Sequence, residues 1–325
     1  MSLSRTLVLS IFLVPVTAGA VPVRAQRAPL SMRDRAPRKP SAVTAARRDY
    51  RPVTKVGRLI AAFRTGPRAL IIAPRPETTE GNYAEVPDGR AYLDGVKIED
   101  VDQGHLGDCY FVAALASVAY ARPAVLEHAI TEQADGSLSV RMFHRQENGH
   151  YEMDDVRVDK LVPLDGTDRP AFAHGNVAGQ MWPAWMQKAY AAHASVQNGK
   201  KPSYDFVGKG GFPSSAFEAL TGKPSRDLRV DPGFAGNLYE PIKAAVRGKH
   251  PVVAFTPQKL PDGAPVHESH TYSILGMRTV GGKQMVKLRN PWGYSEPGDP
   301  HGGDGIFEMA LAEFAKNFTT VTIGG

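Results

Sequence analysis

The one cysteine of this 325-residue chain, Cys109, follows Gly107-Asp108 and opens an apolar run, CYFVAALASVAYA, from 109 to 121. The run is helix-compatible throughout, so the thiol falls in a first helical turn, where the helix's partial positive charge favours a thiolate. The thiolate is the attacking form of cysteine, so this is a fitting place for a nucleophile. The competing reading is a small buried hydrophobe, the commonest fate of an unpaired cysteine. The residues next to the thiol leave both readings open.

A nucleophilic thiol needs a base, and the base needs an orienting partner. The chain has ten histidines, so the presence of one decides nothing. His270 heads an apolar, strand-like run (270–280) after a loop containing Pro and Gly. Gly281-Gly282 reads as a hairpin turn, and the returning run (284–290) ends at Asn290-Pro291-Trp292-Gly293. Folding that hairpin brings Asn290 back toward His270, where an amide oxygen accepting a ring N–H would aim the imidazole. The sequence does not fix the register, and His270 taken alone also reads as an ordinary strand-end histidine. His267 and His270 form an H-x-x-H pair. No His-Glu-x-x-His and no cysteine or acidic cluster supplies further zinc ligands, so the metal reading is set aside. Gly208-Lys209-Gly210-Gly211 is too irregular for a phosphate loop, and Ser214-Ser215 lies outside any nucleophile elbow.

These residues need elements to hold them. Asp108 is the expected N-cap of the 109–121 helix, and Pro123 stands just past its end. Apolar on all sides, that helix belongs inside a core. Further helices are expected over 182–193, with Pro183 in the first turn, over 214–220 and over 239–247. Strands are expected over 251–256, 270–280 and 284–290. The chain thus reads as a helical lobe, 86–228, carrying the thiol, and a β-rich lobe, 229–325, carrying His270 and Asn290.

Ahead of the lobes, residues 1–25 have the form of a signal peptide. Arg5 gives a positive start, residues 7–18 an apolar stretch, and Ala18-Gly19-Ala20 or Ala25 a cleavage site. An exported protein, secreted or periplasmic, is the expectation. An uncleaved anchor is the rival, but Pro15 interrupts a stretch already short of the roughly 20 residues a span needs. No stable membrane span is expected after cleavage. Residues 26–85 are Arg- and Pro-rich and read as a linker, a pro-segment or an attachment arm, with 57–73 apolar enough to dock on the core. Of the formal net charge of +6, residues 1–25 hold +2 and residues 26–85 hold +8, which leaves residues 86–325 at −4. A nucleic-acid binder concentrates cations on its folded surface, so no nucleic-acid partner is expected. A single cysteine also excludes an intramolecular disulfide.

Three blocks, in order, resemble the calpain family of papain-like cysteine proteases. The first is Gln103-Gly104-His105-Leu106-Gly107-Asp108-Cys109-Tyr110. The second runs from Trp185-Met186-Gln187-Lys188-Ala189-Tyr190 through Ser203-Tyr204-Asp205 to Phe217-Glu218-Ala219-Leu220-Thr221-Gly222. The third is His270-Thr271-Tyr272-Ser273 followed by Leu288-Arg289-Asn290-Pro291-Trp292-Gly293, closing with Asp304-Gly305 and the 314–318 segment. The resemblance covers roughly 86–325. It implies an α+β, papain-like, two-lobed fold and an endopeptidase acting on an extended polypeptide through an acyl-enzyme. Cys109 would be the nucleophile, His270 the base, Asn290 the orienter and Gln103 an oxyanion-hole donor, with Trp292 covering the His–Asn hydrogen bond. No organic or redox cofactor is implied. Calcium is, at a first site resembling Gly95, Asp100 and Asp205, and at a second resembling Glu296 and Asp304. In the second, Ile306 stands where the family has an acidic ligand, and the loop after Glu296 is shorter. No C2-like or EF-hand pattern follows the core, and an exported chain departs from the cytosolic setting of the animal family. Two other classes compete with the protease: a catalytically silent calpain-like binding module, and other papain-like chemistry such as transglutamination or cell-wall peptide cleavage.

Overall fold

The computed structural model describes residues 63–64, 68–294 and 303–325. The leader (1–25) and most of the 26–85 segment lie outside the described residues, as does Glu296. Among the described residues no helix is long and apolar enough to cross a membrane.

The first lobe is built around α1, Cys109–Ala121, whose Tyr110–Ala119 stretch is buried on every side, as its composition requires. Helix α2 (Pro123–Glu127) follows, then α3 (Trp182–Gln197), α4 (Tyr204–Val207) and α5 (Pro213–Thr221), the last ending on left-handed Gly222. The sequence reading assigns nothing to residues 122–181, and here the structure adds a sheet. Its strands are β1 (Phe63–Arg64), β2 (Arg68–Ile72), β4 (Ile130–Glu132), β5 (Leu138–Arg145) and β6 (Tyr151–Val158), ordered β1-β2-β6-β5-β4. The signal was present as alternation: Leu138, Val140 and Met142 are fully buried while their neighbours face outward. Two short strands, β3 (Asn82–Ala84) and β7 (Val162–Leu164), pair separately.

Two expected boundaries shift. Strand β2 pairs in parallel with β6, so the 57–73 arm contributes a strand to the first lobe's sheet, and the folded part begins before residue 86. Strand β8 (Arg226–Arg229) pairs with β13 (Thr320–Ile323) in the second lobe, so the division between lobes precedes residue 228.

The second lobe is a six-stranded antiparallel sheet ordered β12-β11-β10-β9-β13-β8, with β9 Val252–Phe255, β10 Thr271–Val280, β11 Lys283–Arg289 and β12 Ile306–Ala310. It packs against α6 (Tyr239–Arg247) and α7 (Leu311–Asn317) through Ile242, Tyr272, Val286, Leu288, Phe314 and Val321. Gly281 and Gly282 both have positive φ (53° and 78°), the backbone a tight two-residue hairpin needs. Val253 and Leu275 of this sheet join the first lobe's core cluster, and α1 lies against β10: Ser273 Oγ donates to Ala113 O at 2.8 Å. An α+β, two-lobed architecture results, with α1 at the seam.

Candidate active site

Cys109 is the first residue of α1 and is half-buried. The expected cap differs: the Asp108 carboxylate makes no bond to the helix and instead accepts from Gln187 Nε2 at 2.8 Å, while Gln187 Oε1 receives the Ala173 N–H. Fully buried, Asp108 has its carboxyl pushed up to about 7. Helix α1 thus enters on a residue turned toward α3, and its first N–H groups stay free of a side-chain cap.

The β10–β11 register supplies the second half. Ser273 faces Arg289, and the pairing ends with His270 just before β10 and Asn290 just after β11. His270 Nε2 lies 2.8 Å from Asn290 Oδ1. The acceptor fixes the tautomer, with Nε2–H donated and Nδ1 left to accept. Trp292 tilts over His270 with centroids 4.5 Å apart, and its N–H also donates to Asn290 Oδ1 at 3.1 Å. Thr256 holds the backbone: its Oγ1 accepts the His270 N–H at 2.9 Å, and its N–H donates to His270 O. Ser269 enters at φ +49°, a left-handed conformation uncommon for a residue with a Cβ.

Cys109 Sγ rests against both flanks of His270, 3.9 Å from Ser269 O and 3.8 Å from Thr271 Oγ1. Among the described residues no hydrogen bond joins Sγ to the imidazole. Burial pushes the Cys109 thiol up, with Thr271 partly offsetting it, and burial holds His270 down at about 4. Desolvation thus opposes the stabilisation that the helix terminus offers a thiolate.

Gln103 is buried and donates from Nε2 to Leu106 O at 2.6 Å, while its own N–H reaches Pro291 O across the lobes at 2.9 Å. Beside it, Arg289 donates to Val101 O and to Asp102 Oδ1. These bonds tie the segment carrying Gln103 to the loop carrying Asn290. Two glycines permit the closeness: a Cβ on Gly104 (φ +66°) would overlap the Phe172 carbonyl, and one on Gly293 (φ +73°) the Asp102 carboxylate. The roles of Thr256, Thr271, Asp102 and Arg289 escape sequence reasoning because their partners lie far along the chain.

A family model described as calpain family cysteine protease matches residues 81–300. The chain belongs to this family. Among relatives, calpain-8 of Mus musculus is 29% identical over 268 residues, covering 70% of this chain and 36% of that protein. Calpain-9 of Rattus norvegicus is 28% identical, covering 81% and 42%, and the calpain-1 catalytic subunit of Homo sapiens 30% identical, covering 71% and 35%. The chain thus spans about two-fifths or less of these calpains' length.

Trp182 and Trp185 pack in the core, their ring N–H groups bonded to Asp100 Oδ2 and Lys160 O. At the first calcium position, Asp100 is buried and its Oδ2 accepts from Lys97 N–H, Gln180 Nε2 and Trp182 Nε1. Gln180 Nε2 also reaches Gly95 O at 3.3 Å. Donor hydrogens therefore occupy the gap between two oxygens a hard cation would need. Asp205 bonds instead with the N–H and hydroxyl of Thr79. These residues as arranged do not fit a calcium ion. At the second position, Asp304 caps the start of β12 through the Ile306 N–H at 2.9 Å.

Proposed function

We propose that this calpain-family chain is an exported cysteine endopeptidase that uses Cys109, His270 and Asn290 as its triad. The observation that carries the reading is the His270–Asn290 hydrogen bond, roofed by Trp292, with the lone thiol packed against the residues on either side of His270. In this mechanism a peptide lies extended between the lobes. His270 Nδ1 takes the thiol proton as Sγ attacks the carbonyl carbon. The C–N bond then breaks, and His270 returns the proton to the departing amine. Water, deprotonated by the same nitrogen, releases the acid product from the thioester. The Cys109 N–H, an unpaired donor at the start of α1, and the second hydrogen of Gln103 Nε2 stabilise the oxyanion, about 3 kcal/mol for one such donor.

Because Sγ rests on Ser269 and Thr271, substrate must bring the imidazole onto the thiol before the proton moves. The silent-module reading takes its support from the same fact, since Sγ engages Ser269 and Thr271 and not the ring. Casein cleavage with added calcium and with chelator, alongside Cys109→Ala, separates the two. The protease reading expects cleavage that the substitution abolishes and that chelator leaves intact, given the donor-filled Asp100 position. A folded protein that cleaves no tested polypeptide under either condition overturns it.

A further inference from the structure

Away from the cleft, three side chains far apart in sequence meet inside the first lobe. In the β5–β6 hairpin Asp154 faces Met142 and Glu152 faces His144, so His144 and Asp154 are diagonal neighbours on one face. His193 of α3 closes over them. Asp154 Oδ2 lies 2.6 Å from His144 Nδ1, 2.8 Å from His193 Nε2 and 3.1 Å from Gln197 Nε2. Asp154 and His193 are buried, and the His144 side chain is 19% exposed. Asp154 Oδ1, also buried, has no hydrogen-bond partner among the described residues. One ligand-capable atom from each of the three side chains lies within 4.8 Å of the others.

We propose that His144, Asp154 and His193 form a zinc site. Two imidazole nitrogens and one carboxylate suit zinc, whereas calcium and magnesium take oxygen. Ligand atoms on tetrahedral zinc sit roughly 3.3 Å apart, so His144 and His193 need to part from Oδ2 by only about 0.7 and 0.5 Å for the ion to enter. A purely hydrogen-bonded cluster puts three donors on Oδ2 and leaves Oδ1 with none. On a metal the two imidazoles bind the ion instead of crowding Oδ2, and the carboxylate supplies one oxygen as the third ligand. Polar groups also flank the outer ring nitrogen: the Gln146 amide lies 2.7 Å from His144 Nε2 and also contacts Glu152. Metal-bound histidines commonly pass their other ring N–H to a carboxylate, and Glu152 Oε2, 3.9 Å from Nε2, is within reach of that role by a shift of about 1 Å. The ion reaches the cluster past His144, the one half-buried ligand, and a water there completes four-coordination. With two of its three ligands buried, the site fastens α3 to the first sheet and stands independently of the active-site reading.

The test uses the full chain carrying Cys109→Ala, so that the cleft thiol and His270 do not compete for metal. Stripped protein is titrated with zinc against a chromophoric chelator, and X-ray absorption is recorded on the loaded sample. Expected are one tight zinc per chain, a nitrogen and oxygen shell with imidazole back-scattering, and a raised melting midpoint. His144→Gln and His193→Gln should each weaken binding about 100-fold. Failure to take up one zinc, a shell without imidazole, or unchanged affinity in both variants overturns the site. The absorption spectrum comes from the intact cluster, so the result stands even where a variant misfolds.

Discussion

Two histidine clusters in this molecule use the same ring for opposite ends. In the cleft, His270 leans on a neutral amide, Asn290, beneath Trp292, and burial holds it at about 4. In the first lobe, His144 and His193 share the carboxylate of Asp154. A neutral acceptor orients an imidazole and leaves it uncharged, ready to take a proton from a thiol. A buried carboxylate supplies negative charge, which suits a bound cation. The identity of the acceptor, more than the histidine, decides which role each cluster can take.

The largest effect should come from removing the nucleophile. Cys109→Ala should reduce peptide cleavage by on the order of 10⁴-fold or more, measured as kcat/KM on a fluorogenic peptide. Residual activity near the parent's would mean that the cleft cluster is not the catalytic one. Next is the acceptor itself. Asn290→Ala should cost on the order of 10²-fold as the base loses its orientation. Asn290→Asp gives the cleft the other cluster's chemistry. A carboxylate there favours the imidazolium, so the acidic limb of the kcat/KM profile should move to higher pH. An unmoved limb would break the comparison.

Stability against pH should sharpen it further. His270 is held at about 4 against an ordinary 6.5. Above pH 6.5 both folded and unfolded states are neutral there. As pH falls from 6.5 to 4 the unfolded chain takes up a proton that the native one refuses, which costs up to roughly 3 kcal/mol. Asp108 runs the other way. Its carboxyl, near 7 when folded and 3.8 otherwise, keeps a proton that the unfolded chain releases, so its contribution grows as pH falls from 7 toward 4. The two slopes largely cancel in the parent protein. Asp108→Asn should expose the His270 slope as a loss of stability between pH 6.5 and 4, read by denaturant titration at each pH. A flat profile in that variant would contradict the burial-driven shift of His270.

The helices and the second lobe's central hairpin were far more legible in the sequence than the first lobe's sheet. Helix 109–121, helix 239–247 and the 270–290 hairpin are local patterns, and the structure places them with at most a residue of shift. The hairpin also juxtaposes His270 and Asn290, because two glycines set its turn. The first lobe's sheet depends on long-range pairing: β2 finds β6 some eighty residues later. The polar residues alternating along β5 and β6 masked the buried face. Asp154, inside the run YEMDDVRV, looks like a solvated acid until the fold turns it inward toward α3. Asp108 misled for the related reason that cap propensity is local, whereas Gln187, its actual partner, sits on another helix.

The smallest effect expected also involves Asp108. Its carboxylate lies one residue before the nucleophile, and its charge adds to the burial that pushes the Cys109 thiol up. Asp108→Asn keeps an oxygen for Gln187 to donate to and removes that charge. Above pH 7, where the parent carboxyl ionises, the variant's thiol should alkylate a few-fold faster with iodoacetamide; below pH 6, where the parent carboxyl is already neutral, the two rates should converge. A rate difference that persists unchanged at low pH would point to altered packing at the α1 terminus. Convergence would assign the difference to the Asp108 charge, a carboxylate that holds the thiol back instead of preparing it.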